Sequence, residues 1–357
     1  MEADQKLSDR CRVGRISPAC YNLAKGIAMA LVIYSHSIGR YAVDLSRSLQ
    51  IMALPLKYVG FGAVMVLYLV TGMGLPDKLP RLNGKKTAKE LLLPYLWVAL
   101  SYCVLFAPVH WLFGTEWERA LTVALQYAAA FALGVPQGGQ TVGGFTMTWC
   151  TAAWYFLAAF WGIHLVTAIG RLEKRWIRAV LLLLCEAAGL WLTWKGVFWF
   201  CVAAGLQAAP VIYLGWRLRA WGGLEQMLQI KWIWVPLLLL PLLNMDLVPM
   251  PYSVALPLKR ITALASALLM LSVSLKLQDL RGNVLEALRS MGMYSYWILL
   301  LHAMEMEILP WYRMSRRYFI APPTRLMLEL AIRAVLLWVG CMGIKRLVVT
   351  IRRKRRR

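Results

Sequence analysis

The chain has 357 residues, 60% of them hydrophobic and only 16% charged, and its 40 Lys+Arg against 17 Asp+Glu give a formal net charge of +23. That apolar content excludes a disordered chain, and it leaves too little polar surface to cover a soluble globule, in which about a quarter of residues are charged. What remains is an all-α polytopic membrane protein whose basic residues belong to its loops, not to a nucleic-acid-binding module.

A spanning helix needs about 20 mostly apolar residues. In chain order the hydropathy places ten spans near 18–39, 53–75, 91–113, 149–169, 177–194, 196–216, 232–247, 258–276, 290–310 and 326–346. A further apolar stretch at 120–135 runs into the Gly-rich segment 137–145, and reading it as an interfacial or re-entrant element keeps Arg171, Lys174, Arg175 and Arg178 on the cytosolic side. With both termini inside, the inner segments then take 27 of the 40 basic residues, as the positive-inside rule requires. The loop with Arg313, Arg316, Arg317 and Arg325 is the one that dissents. The expectation is one membrane domain over 1–357, with a membrane region at 18–346 and a basic cytosolic tail at 347–357 that anionic lipids attract.

The seven cysteines, Cys11, Cys20, Cys103, Cys150, Cys185, Cys201 and Cys341, form no CxxC or Cys/His cluster. Neither a disulfide framework nor a metal site is expected, and neither is a cleavable signal peptide.

Ionisable groups inside spans are costly and tend to line a cavity or pair with one another. The first span has two, Lys25 and His36. Eleven helical residues turn the chain to within about 20° of three full turns and advance it roughly 16 Å, so both side chains share one face. Ser35 and Ser37 flank the histidine. A cation at the inner end of this face and an imidazole at the outer end suit an anionic cofactor entering from the cytosol. Taken singly, Lys25 has an alternative reading as a snorkelling residue and His36 as an interfacial one.

Later spans add polar groups of their own. Thr71-Gly72-Met73 closes the apolar run 59–75, and Lys85-Lys86-x2-Lys89 precedes Leu93-Pro94-Tyr95. Ala153-Trp154-Tyr155-Phe156-Leu157 opens the fourth span, Gln207-x7-Gly215 sits in the sixth, and Ser295-Tyr296-Trp297-Ile298-Leu299-Leu300-Leu301-His302 in the ninth. Glu305 lies one turn beyond His302. Glu186 reads as buried and paired or protonated, Glu329 and Arg333 as an i,i+4 ion pair, and His110 and His164 as structural. Most of the 17 tryptophans fall at span ends, where an interfacial belt accounts for them.

In this order the elements resemble the membrane acyltransferase-3 family, multi-pass O-acyltransferases of bacterial envelope glycans. The likeness runs from about residue 18 to 303, and its most specific element is Lys25-x10-His36. Leu93-Pro94-Tyr95 is similar to the family's Pro-Tyr helix start after a basic cluster. The chain departs from the usual pattern where Thr71-Gly72-Met73 stands for Ser-Gly-aromatic and where lysines replace the arginines of that cluster. The resemblance implies transfer of an acyl group, most often acetyl, from acetyl-CoA to a sugar hydroxyl across the bacterial inner membrane. It implies His36 as general base or acyl carrier, with His302 and Ser35 beside it, and Lys25, Lys85, Lys86 and Lys89 near the CoA phosphates. Trp154, Tyr155, Thr71 and Glu305 are the acceptor-side candidates, and Ser35, Ser37 and Thr71 are candidate oxyanion donors. Expected partners are an acyl-CoA donor, an envelope glycan or lipid-linked sugar, and membrane lipids; no permanently bound cofactor is expected, and a homo-oligomer is left open. The competing class is a transporter or exporter of a lipid-linked or anionic substrate, which buried charges serve equally well.

Overall fold

The computed structural model describes residues 17–38, 51–54, 58–76, 79, 84–142, 144–220, 223–245, 251–316 and 322–354. Residues 1–16, with Cys11 and four basic residues, and 355–357 of the basic tail lie outside the described residues. Helix α1 (Pro18–Ile38) is the element around which the bundle assembles. It packs against α2 (Ala63–Met73, entered through a 3-10 turn at Gly60–Gly62), α10 (Tyr252–Leu277), α11 (Asn283–Met293), α12 (Ser295–Ile308) and α14 (Pro322–Lys354). Protein on most sides explains how α1 carries Asn22, Lys25, Ser35, His36 and Ser37, which a lipid-facing helix would not tolerate. The opposite case is α6 (Arg175–Trp194), apolar nearly all round, with Leu183 71% exposed and only Leu182 and Gly189 buried. Such a helix belongs at the rim, against lipid.

Among the described residues, six helices are long and apolar enough to cross a membrane: Gly84–Leu112, Thr151–Ile169, Arg175–Trp194, Trp199–Ala220, Ser253–Leu277 and Pro323–Gly343. The expected spans at 53–75 and 232–247 appear as shorter apolar helices, Gly60–Met73 and Lys231–Leu243. In the second of these, which follows the short α8 (Gly223–Gln229), α9 (Trp234–Leu239) is flanked by 3-10 turns at Lys231–Ile233 and Leu240–Met245. Pro236 and Pro241 each remove a backbone donor there. The expected span 290–310 is divided at Tyr294 into α11 and α12. The short α13 (Trp311–Arg316) follows α12, and the basic tail continues α14 as helix to Lys354.

The 120–135 segment is a 17-residue helix, α4 (Trp117–Leu133), packed antiparallel along α3 (Gly84–Leu112) through Tyr127 against Phe106 and Phe131 against Tyr95. Gly134, in the left-handed region at φ 60°, stops it by capping the Ala130 and Phe131 carbonyls. The chain returns through a two-stranded antiparallel hairpin, β1 (Gln140–Val142) and β2 (Phe145–Met147), paired in the register Gln140 to Met147. A 3-10 turn at Thr151–Ala153 then leads into α5 (Trp154–Ile169), which packs with α7 (Val202–Ala220).

Leu93-Pro94-Tyr95, expected to open a helix, lies well inside α3. Proline has no N–H for the carbonyl four residues back, which is that of Glu90. The Tyr296 hydroxyl fills the gap by donating to the Glu90 carbonyl at 3.0 Å. Tyr95 in turn donates its hydroxyl to the Phe131 carbonyl, tying α4 to α3.

Two glycine crossings set the spacing of the core. A Cβ on Gly72 would overlap the Ile212 carbonyl oxygen, and one on Gly215 would overlap that of Leu69, so α2 and α7 meet backbone to backbone. Gly26 and Gly292 play the same part between α1 and α11, against Leu288 and Asn22. Because the obstacle is backbone, Gly72→Ala is expected to destabilise the protein by about 1–3 kcal/mol, the usual overpacking range. Thermal unfolding of the purified protein in detergent measures it, and an unchanged midpoint would refute the crossing.

Candidate active site

Two helices carry the site, α1 and α12. Near the start of each, Lys25 and Met29 of α1 and Ser295 and Leu299 of α12 line a cavity of about 270 Å³, with Thr71 of α2 and Tyr155 of α5 on its other walls. Near the far end of α1 and midway along α12, His36 and His302 come together, ring centroids 5.4 Å apart at 42°. Leu299 is three helical residues, about 4.5 Å, from His302 and Met29 is seven, about 10.5 Å, from His36, so the cavity ends one to two turns short of the histidine pair. Lys25 lines the cavity, and His36 lies beyond it on the same helix.

The two histidines differ in their surroundings. His302 is fully buried, and its Nδ1 lies 2.7 Å from Glu305 Oε1. A carboxylate there selects the tautomer with the proton on Nδ1, which leaves Nε2 as the basic atom. Glu305 is held in its turn: Oε2 accepts from Trp311 Nε1 at 2.5 Å, and Arg333 Nη1 is 3.4 Å from Oε1. Arg333, fully buried on α14, also meets Glu329 Oε1 at 3.0 Å through Nε and lies 4.8 Å from the Trp311 ring. The Glu329–Arg333 pair expected from i,i+4 spacing is therefore part of a longer chain that ends on His302. Glu305, read as an acceptor-side residue, has its carboxylate directed to protein groups, and its geometric part is to orient His302.

His36 is half-buried and has the Trp149 ring 5.8 Å from its own. Trp149 lies two residues before Thr151, which has a positive φ of 47°, and on a second segment Phe200 and Cys201 both have a φ of 52°. Non-glycine residues rarely adopt this conformation, at a cost of about 1–3 kcal/mol each, and it persists only where the surroundings impose it. Those surroundings are visible: Cys201 N–H donates to the Gly134 carbonyl at 3.0 Å, Cys150 N–H to that of Val135 at 2.7 Å, and Thr151 Oγ1 to that of Ala303 at 3.3 Å. The last bond ties the Trp149 segment to the residue after His302.

The remaining candidates separate clearly. Ser35 Oγ donates to the Val32 carbonyl at 2.8 Å and Ser37 Oγ to that of Ile33 at 2.9 Å, so both hydroxyl protons are directed into α1 itself. Thr71 Oγ1 likewise donates to Leu67 at 2.8 Å and lies 3.2 Å from the Tyr155 hydroxyl, which makes Tyr155 the donor of that second bond. Lys85, Lys86 and Lys89 are exposed on the first turns of α3, where Lys86 is 3.9 Å from Glu90. Leu91 and Tyr296 line the cavity and Tyr296 holds the Glu90 carbonyl, so this basic helix start adjoins the Lys25 end of the cavity. Trp154 does not line the Lys25 cavity; it faces another one beyond α2.

His110 and His164 have structural partners. His110 Nε2 is 2.9 Å from the Glu307 carbonyl with its ring stacked on Phe106, and His164 Nδ1 is 2.7 Å from the Phe160 carbonyl. Glu186 is paired: Arg260 Nε and Nη2 reach its two oxygens at 2.8 and 3.2 Å. Sequence reasoning did not single out Trp149, Trp311 or Arg260. The first two are ordinary members of a tryptophan-rich chain, but Arg260 within an apolar span was a signal of the kind that identified Lys25. Among the described residues no cluster of His, Cys, Asp and Glu could hold a metal ion.

A family model described as an acyltransferase domain matches residues 19–344, nearly the whole chain. No curated protein and no solved structure matches it.

Proposed function

The chain belongs to the acyltransferase-3 family, and from that premise we propose that this multi-pass membrane protein moves an acyl group, acetyl in the first instance, from cytosolic acyl-CoA to a hydroxyl of an envelope carbohydrate or related acceptor. Its place is the bacterial inner membrane, with ten crossings and both termini cytosolic. The observation that carries the reading is the joint course of α1 and α12. Lys25 stands at one end of a cavity, and the same two helices lead from it to the facing His36 and His302.

The donor is an extended polyanion with its thioester at the far end. Lys25 and the basic start of α3 hold the phosphates, and the narrow arm lies along Met29 and Leu299. The thioester then comes to rest near the histidine pair. His36, the less buried of the two, takes the proton of the acceptor hydroxyl as the new C–O bond forms. The C–S bond breaks and the proton passes to the departing CoA thiolate. The other course places the acyl group on His36 first and moves it to the acceptor in a second displacement. In both, His302 is held by Glu305 in the tautomer that presents Nε2.

Acetyl-CoA is expected to raise the thermal unfolding midpoint of the purified protein by mass action. Lys25→Ala should weaken that response, because one hydrogen bond to a charged group contributes about 1.5–3 kcal/mol, or roughly 10- to 100-fold in affinity. No response in the unaltered protein would sink the proposal. Mass spectrometry of envelope glycans from cells with and without the protein identifies acyl group and acceptor together.

A further inference from the structure

On the other side of α2 from Lys25 lies a second cavity of about 270 Å³, walled by Phe61, Tyr68, Trp154, Gln207, Lys259 and Arg260. The two cavities share their partition. Tyr68 faces the second and Tyr155 the first, and the two rings stack at 5.0 Å; Trp154 and Tyr155, adjacent in sequence, likewise face opposite sides. We propose that this second cavity receives the acyl acceptor as a sugar phosphate group, free or at the head of a lipid carrier. The proposal rests on the acyl-transfer reading of the first cavity.

Charge is the first argument. Arg260 is anchored through Nε and Nη2 to Glu186, and through Nη2 to the Gln207 carbonyl at 2.6 Å. Its Nη1 meets the Met65 sulfur at 3.5 Å, a weak acceptor that an oxyanion readily replaces. Lys259 is the next cation along α10, with Nζ 5.8 Å from the Phe61 ring centre. Glu186 and the Gln207 carbonyl engage Nε and Nη2, so Nη1, set against a thioether, is the donor that a phosphate oxygen takes. The guanidinium is already oriented, and that lowers the cost of ordering it on a ligand.

Shape is the second. Phe61, Tyr68 and Trp154 give three aromatic rings among the walls, and such faces pack on the C–H side of a pyranose while leaving its hydroxyls for polar groups. An acyl tail has no use for adjacent cations, and a bare phosphate has none for three rings. A sugar phosphate uses both. The volume lies just under the about 300–1,000 Å³ of ordinary ligand pockets, which suits one sugar residue better than an oligosaccharide. Position is the third, because a hydroxyl that passes the Tyr68–Tyr155 partition enters the first cavity where Leu299 leads on to His302.

The test uses full-length protein in phosphatidylcholine vesicles and reads the unfolding midpoint with glucose 1-phosphate, glucose, inorganic phosphate, or a polyprenyl phosphoglucose placed in the bilayer. Glucose 1-phosphate or the lipid-linked form should raise it more than glucose or phosphate does. A response to both means that the head group suffices, and a response to the lipid-linked form alone means a carrier-borne acceptor. Lys259→Glu and Phe61→Ala, at exposed side chains that a folded protein tolerates, should remove most of this response and keep the one to acetyl-CoA. Lys25→Ala should do the reverse. No response to either sugar phosphate, an equal response to inorganic phosphate, or a response that survives Lys259→Glu overturns the acceptor site and leaves acyl transfer standing. Absence of the acetyl-CoA response in the unaltered protein overturns the reading beneath it.

Discussion

Substituting His36 by Ala is expected to lower acyl transfer by about 10²- to 10⁴-fold, the range that a positioned general base contributes. Acetyl-CoA binding should persist, because the residues proposed to hold the donor phosphates lie three turns away at the Lys25 end of α1. A sugar hydroxyl attacks a thioester slowly until its proton has somewhere to go, and His36 is the half-buried imidazole of the pair. His302, fully buried and bonded to Glu305, is placed to orient and relay. Three measurements on purified His36→Ala decide the matter: transfer rate, acetyl-CoA-induced stabilisation and rescue by added imidazole. Full transfer activity in a folded variant would remove His36 from the chemistry. Mixing the unaltered protein with acetyl-CoA and no acceptor, followed by peptide mass spectrometry, separates the two courses, since only the stepwise one leaves an acetyl group on His36.

The outline of this site was legible because helical periodicity is strict. Eleven residues are nearly three turns, so Lys25 and His36 had to share a face whatever surrounded them. The meaning of the other elements needed the third dimension. Thr71-Gly72-Met73 and Gln207-x7-Gly215 are unremarkable apolar runs in one dimension, yet their glycines are the two halves of a single crossing between α2 and α7. In sequence Pro94 reads as a helix start, where proline is common. It stands inside α3 because Tyr296, two hundred residues later, satisfies the carbonyl that the proline leaves open. Glu305 was visible one turn from His302, but only packing shows that its second oxygen is committed to Trp311. Hydropathy also misjudged continuity, at Tyr294 and around Pro236 and Pro241, where apolar runs long enough for a span are divided into shorter helices. Composition records how apolar a segment is, whereas a break depends on which backbone donors are missing and what replaces them.

The charge chain behind His302 supports the second large effect. Arg333→Met is expected to destabilise the protein by about 3–5 kcal/mol, because removing one partner of a buried ion pair leaves the others charged and uncompensated. Here two carboxylates lose the same cation: Glu329, 3.0 Å from Nε, and Glu305, 3.4 Å from Nη1. The loss of stability alone would not show whether the chain serves the reaction or only the fold, so a second variant is needed. Adding Glu329→Leu to Arg333→Met removes one stranded carboxylate and should restore a large part of the unfolding midpoint. Glu305 would still lack the cation beside it, and Trp311 and His302 itself would be left to hold it. If the chain positions His302, the double variant regains stability while the rate of transfer at saturating acetyl-CoA stays low, and the acetyl-CoA response is unaffected. Recovery of both together would assign the chain to structure alone. Glu305→Gln gives an independent reading on the same atoms. It keeps the size of the side chain and an acceptor for Nδ1–H, but it withdraws the negative charge that stabilises an imidazolium on His302. It also turns its NH2 toward Trp311 Nε1–H, a lost hydrogen bond of about 1 kcal/mol. Its cost should therefore fall on the rate of transfer far more than on the unfolding midpoint.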